Sequence, residues 1–151
     1  MSALKIRLAN KDDMKKVFDL SNDDVVRQNS FNSSKIIWED HEKWFENRIL
    51  RVADEPFYIV EDENGNFAGQ SRFDKKNGEI VISVSIAEAF RGKGLAGSVI
   101  KLCTEKTGFE TVFAYIKESN ISSVRAFRAA GYVPDLGSDK NEGCVRLVHR
   151  L

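Results

Sequence analysis

Cysteine and histidine are scarce in this chain, two of each in 151 residues, and both shortages narrow its chemistry. Cys103 and Cys144 lie far apart, each inside an apolar pattern, so they read as free thiols of a packed interior rather than as a disulfide. Neither looks like a nucleophile. His41 and His149 stand without clustered ligands, which leaves a metal site unsupported. Charge of one sign is missing too: 23 basic residues balance 23 acidic ones, so no net field favours nucleic acid or an anionic membrane. No apolar stretch approaches membrane-spanning length, and no charged segment followed by an apolar run stands at the N-terminus. A soluble, cytoplasmic protein is expected. No repeat, linker or low-complexity tract interrupts residues 1–151, a length suited to one domain with a real core.

What the chain does have is a glycine-rich bend from Phe90 to Gly97. It follows a run of strand-like alternation, Glu79 to Ile86, and opens a segment of helical period, Leu95 to Thr107. Gly92, Gly94 and Gly97 let the backbone turn tightly and approach a ligand, and the amides of a first helical turn have no intrahelical partner. Such a helix start favours a phosphate, and Arg91 and Lys93 add positive charge beside it. A plain glycine-rich turn is the other reading. One common phosphate motif is excluded, since there is no G-x-x-x-x-G-K-[ST].

The remaining elements follow from period and turn chemistry. Leu4, Ile6 and Leu8 alternate as a first strand; Asn10 and Asp13 resemble a capping box before a short helix with Met14, Val17 and Phe18 on its apolar face. Asp23 to Ser34 reads as loop or a broken helical turn. A second helix, about Trp38 to Arg51, carries Ile37, His41, Trp44 and Arg48 on one stripe and Trp38, Phe45 and Ile49 on another. Strands Phe57–Glu61, Phe67–Asp74 and Glu79–Ile86 form a meander through two-residue turns at Asn64-Gly65 and Asn77-Gly78. The helix after the bend buries Leu95, Val99, Ile100 and Leu102 and stops at Gly108. Thr111–Ile116 is a fifth strand, parallel to the one before the helix. A helix from Ser122 to Ala130 ends at Gly131, and Tyr132–Leu136 and Cys144–His149 close the sheet.

Two segments carry a family resemblance. Arg91-Gly92-Lys93-Gly94-Leu95-Ala96 is similar to the Q/R-x-x-G-x-G/A signature of the GNAT acyltransferase superfamily, and the segment from Asn120 through Ser123 and Phe127 to Gly131 and Tyr132 resembles that superfamily's N-x-x-[AS]-x-x-x-[YF]-x-x-x-G-[FY] run. The resemblance implies an α/β (α+β) fold: a mixed, mostly antiparallel sheet of six to seven strands with a splayed parallel central pair, and about four helices. It implies acetyl-CoA as cofactor, its pyrophosphate on Arg91 to Ala96 and its pantetheine arm beside Val84 and Ile86, with Asn120, Phe127 and Arg128 nearby. Asn120 also reads as a helix cap.

The implied reaction is direct acetyl transfer to a primary amine, which needs a base to take the ammonium proton. Glu79 resembles the glutamate base of histone-type members at a spacing one residue shorter, and reads equally as an exposed charge beside a turn. Ser83 and Ser85 could hold a relay water. Phe127 occupies the position where relatives often place a tyrosine acid, so Tyr115, otherwise a packed strand residue, or solvent would replace it. For the acceptor, Arg27, His41, Trp44 and the Gly69–Asp74 segment with Arg72 resemble acetyltransferases of nucleotide-linked amino sugars in pseudaminic-type biosynthesis. Arg27 or Arg72 would meet a diphosphate, and His41 or Trp44 would stack on a base or sugar. The competing readings are helix packing for His41 and Trp44, and pairing with Asp74 or Glu61 for Arg72. Two further functions stay open: acetylation of protein N-termini or lysines, and a silent acyl-CoA-binding module. The protein is expected as monomer or homodimer.

Overall fold

Alternation and helical period translate into one sheet with helices on both faces in the computed structural model, which describes residues 3–135 and 143–151. In chain order the elements are β1 (Lys5–Leu8), α1 (Met14–Ser21), α2 (Asp24–Gln28), α3 (Trp38–Ile49), β2 (Phe57–Glu61), β3 (Phe67–Lys76), β4 (Glu79–Ile86), α4 (Leu95–Thr107), β5 (Thr111–Lys117), α5 (Ile121–Ala129), β6 (Val133–Pro134) and β7 (Cys144–Arg150). The strands order as β1-β2-β3-β4-β5-β7-β6, with β4 and β5 parallel and every other neighbouring pair antiparallel. This is the mixed α/β sheet with a central parallel pair that the GNAT-like pattern implied.

Asn10 and Asp13 form the expected capping box, ahead of a 3-10 turn that leads into α1. The expected loop or broken helical turn at 23–34 contains α2, started by the Asp23 carboxylate accepting from the amides of Val25 and Val26. A helix of five residues with none buried leaves no apolar period to read. Asn64-Gly65 is not a two-residue hairpin: Asp62 organises a longer turn by accepting from the amides of Asn64 and Asn66. Asn77-Gly78 is one, with φ of 50° and 80°, and it sets the register that pairs Arg72 with Ser83 and Gln70 with Ser85. The strand read over Tyr132–Leu136 spans Val133–Pro134, and Leu136 lies outside the described residues.

One face of the sheet packs Ile82, Val112, Ala114 and Ile116 against α4 and α5 through Val99, Ile100, Cys103 and Phe127. Leu102, expected in this interface, is 44% exposed, because the buried stripe of α4 runs Val99-Ile100-Cys103-Thr104 and Leu102 falls off it. The other face buries Val17, Phe45, Phe57 and Ile59 beneath α1 and α3. A buried Phe contributes about 2–3 kcal/mol to such a core. Cys103 and Cys144 are free thiols, and burial pushes the Cys103 thiol up to about 12, which keeps it protonated and inert.

Candidate active site

β4 and β5 share a single register pair, Val81 with Phe113, and diverge beyond it. The gap opens into a cleft of about 960 Å³ that runs from the glycine bend and α5 on one side of the sheet to α2 and the turn after it on the other. Along β4 the hydrogen-bonded pairs with β3 alternate from the tight turn at Lys76 and Glu79, so Val84 and Ile86 direct their backbone groups away from β3, toward β5. Both residues line the cleft. Sheet-forming amides therefore face a space where no strand pairs with them.

Gly92 and Gly94 sit at φ of 73° and 71°, and a Cβ added to either would meet no atom within 4 Å. Their glycine requirement comes from backbone conformation rather than crowding. Gly94 is the N-cap of α4, so the amides of Leu95 and Ala96, which line the cleft, belong to its partnerless first turn. Arg91 is engaged: its Nε donates to the Ile86 carbonyl at 2.9 Å and its Nη2 to Asp23 at 2.9 Å, tying the bend to the start of α2. Burial pushes the Asp23 carboxyl up, yet Arg91 and two helix amides outweigh it and hold the group below its ordinary value. Lys93 stands over the Phe90 ring at 5.8 Å and does not line the cleft.

On α5, Asn120 takes both expected positions: its side chain accepts from the Ser123 amide at 3.3 Å as a cap, and it lines the cleft. Phe127 is 3% exposed, edge-on to Tyr132 at 5.0 Å, and reaches the cleft wall. Arg128 is solvent-exposed and does not line it; Arg125, one turn earlier and absent from the sequence-based set, does. The helical face through Ser122, Ala126 and Ala129 could have identified it.

Glu79 is not an exposed charge. Tyr115 donates to its Oε1 at 2.6 Å, and Arg146, which also pairs with Asp135 at 3.0 Å, takes its Oε2. Tyr115 lines the cleft and Glu79 does not. Burial, together with the hydrogen bond to Glu79 and that group's charge, raises the Tyr115 phenol above its ordinary value, so the phenol stays protonated at neutral pH. Ser83 and Ser85 line the same wall.

The acceptor residues named from sequence separate. Arg27 lines the cleft but its guanidinium is consumed locally, donating to the carbonyls of Ser21, Asn32 and Ser34 and to the Ser30 hydroxyl. It staples the turn after α2 instead of awaiting a diphosphate. His41 is 3% exposed and lies outside the cleft lining, among the rings of Phe18, Trp38, Trp44 and Phe45, with Nε2 donating to the Met14 carbonyl at 2.8 Å. Trp44 also lies outside the lining and supports Arg72, whose guanidinium stands 4.9 Å from its ring. Arg72 lines the cleft while giving Nε to Asp74 at 2.8 Å. The second oxygen of Asp74 takes Arg48, which is 0% exposed, at 2.8 Å. Burial pushes the Asp74 carboxyl up, and the two guanidinium ions outweigh that and hold it low.

Gln70, inside the Gly69–Asp74 segment of the acceptor resemblance but given no role of its own there, is 5% exposed and lines the cleft opposite Ser85. The two-residue turn at Asn77-Gly78 held the signal, since it fixes which β3 residues neighbour the serines of β4.

Burial lowers the His41 pKa from its ordinary 6.5, so the unfolded chain binds this proton more readily than the folded one. Stability is then unaffected by His41 above about pH 6.5 and falls as pH drops below it. A Tm measured from pH 8 to pH 5 should decline more steeply for the native protein than for His41→Gln, whose amide can still donate to the Met14 carbonyl. Parallel curves would remove His41 as the cause.

A family model described as an acetyltransferase (GNAT) domain matches residues 3–133. A Bacillus subtilis (strain 168) protein, YwnH, provisionally named a phosphinothricin acetyltransferase, is 27% identical over 139 residues, spanning 85% of this chain and 83% of that one. A solved structure provisionally described as a phosphinothricin N-acetyltransferase superposes with a TM-score of 0.79 at 24% identity, covering 98% of both chains. The spermidine N-acetyltransferase of Vibrio cholerae, in complex with CoA and spermine, superposes with a TM-score of 0.80 at 17% identity, over 97% of this chain and 95% of that one. At these identities the two structures speak for the fold.

Proposed function

The chain belongs to the GNAT acetyltransferase family, an acetyl-CoA-dependent N-acetyltransferase on that ground, and we propose that its acceptor is a small primary amine that also carries an anionic group. The observation that carries this reading is the sign of the charges lining the cleft. Among the described residues, Arg72 lines it across from Ser83 and Lys76 lines it nearer the hairpin turn, and no aspartate or glutamate does. A polycation such as spermidine would require carboxylates there, and an anionic amine would meet Arg72 instead. The nucleotide-linked amino sugar expected from sequence remains a member of this class through Arg72. Its stacking surface is lost, because His41 and Trp44 do not line the cleft.

The residues present fit coenzyme A. Leu95 and Ala96 offer first-turn amides beyond two positive-φ glycines, Arg125 adds a cation to the same wall, and Val84 and Ile86 turn backbone groups into the strand gap. When bound, acetyl-CoA supplies an activated acyl group as a thioester. The protein's own part is to hold the amine and move a proton. The Tyr115 hydroxyl faces the cleft and already donates to Glu79. As the phenol oxygen accepts the amine proton, directly or through a water on Ser83 or Ser85, its own proton passes to Glu79 Oε1. The tyrosine is regenerated neutral, Glu79 holds the proton, and the reverse movement returns it to the cleft.

Thiol release from acetyl-CoA, followed with 2-aminoethyl phosphate, glutamate, glucosamine 6-phosphate and spermidine, tests the assignment. The anionic amines should exceed spermidine in kcat/KM by about tenfold, the worth of one ionic contact near 1.4 kcal/mol. Preference for spermidine, or no release with any amine, would defeat the reading. Arg72→Ala should raise the KM of the preferred amine about tenfold and leave that of acetyl-CoA unchanged.

A further inference from the structure

Gln70 is a buried amide with an incomplete set of partners. Its Nε2 approaches the Ser21 hydroxyl at 3.4 Å, while its Oε1 is buried without a hydrogen bond. The residue is 5% exposed and lines the cleft, directly across the strand pair from Ser85 and two register pairs from Arg72 and Ser83. Buried amide oxygens are almost always bonded, because leaving one bare sacrifices its interaction with water and returns nothing. An unsatisfied oxygen in a cleft wall is the state expected of a group whose partner arrives with a ligand.

We infer that Gln70 Oε1 is the hydrogen-bond acceptor for the N–H of the incoming primary amine, holding its nitrogen beside Ser85 while the anionic part of the molecule lies toward Arg72. The inference rests on the amine-acceptor reading of the cleft. A neutral acceptor suits this task better than a carboxylate. An ammonium has no lone pair and cannot attack, and a negative charge at position 70 would stabilise that unreactive form. An amide oxygen orients the N–H without resisting the loss of the proton. It therefore aims the nitrogen and leaves deprotonation to the tyrosine and glutamate beyond the serines.

Two variants separate this role from fold support. Gln70→Leu keeps the volume and removes the bare oxygen, so its Tm should equal or exceed that of the native protein. Its acceptor KM should rise at least tenfold, with acetyl-CoA KM within twofold. Gln70→Glu should keep acceptor KM near native and move the ascending limb of the kcat pH profile to higher pH, because the amine's ammonium form is now favoured. Amine binding is read separately, by calorimetry of the four amines against protein loaded with coenzyme A. Weaker binding by Gln70→Leu than by the native protein supports the inference. Equal binding by the two, including none by either, overturns it, as does a loss of Tm that raises both KM values together. Amine binding that depends on Gln70 without any thiol release would sink the acetyl-transfer reading and not this one.

Discussion

Tyr115→Phe should lower kcat by about a hundredfold to ten-thousandfold, the span contributed by a positioned acid–base group, and leave acetyl-CoA affinity within a factor of two. Only the phenol oxygen is removed. The ring remains against Arg146, whose guanidinium stands 5.6 Å from it, so the wall of the cleft keeps its shape. Glu79→Gln should cost a similar factor, because the hydroxyl then has no carboxylate to receive its proton. Groups that act as one relay are not additive, so the double variant should be scarcely slower than either single one. Steady-state kinetics across pH 6–9 makes the check. The native ascending limb should flatten in both variants as transfer comes to depend on solvent. Additive losses, or a Tyr115→Phe enzyme with native kcat, would assign the Tyr115–Glu79 bond to packing.

Gly94→Glu should weaken acetyl-CoA binding by roughly a hundredfold or more, equivalent to about 3 kcal/mol, with little change in Tm. Gly94 adopts φ of 71°, which costs a substituted residue about 1–2 kcal/mol. A Cβ there meets no atom within 4 Å, so no clash is added. A carboxylate at a helix N-terminus is itself favourable by about 0.3–1 kcal/mol, which offsets part of the strain. The same carboxylate occupies the anion site that the first-turn amides create, and repels a pyrophosphate. Gly94→Asn separates the two effects, since asparagine tolerates the left-handed region and carries no charge. Calorimetry should find its affinity close to native. Equal losses for Glu and Asn would locate the effect in the backbone, and native affinity for Glu would move the pyrophosphate elsewhere.

The features legible in the sequence were those whose causes lie within a few residues. Strand β4, helix α4 and the tight turn at Asn77-Gly78 each follow from side-chain period or positive-φ preference, and they appear with the expected bounds. The bend between β4 and α4 was readable for the same reason. Helix α2 was readable no further than a loop or broken helical turn, because five residues with an Asp23 cap and no buried side chain leave no period. Leu102 was misassigned because apolar character alone does not state on which side of a stripe a residue falls.

The sequence by itself determined the strand-helix-strand unit, the glycine conformations at its bend and the parallel pairing of β4 with β5, all written in local propensities and the length of a crossover. Tertiary structure alone decided which polar groups are spent and which are left for chemistry. Glu79 meets Tyr115 and Arg146 across 36 and 67 residues of chain, Arg27 is exhausted by its own turn, His41 sinks among four rings, and Gln70 keeps a bare oxygen in the cleft wall. A side chain's type says how many hydrogen bonds it can make. Whether those bonds are already taken depends on neighbours that only the folded sheet brings within reach.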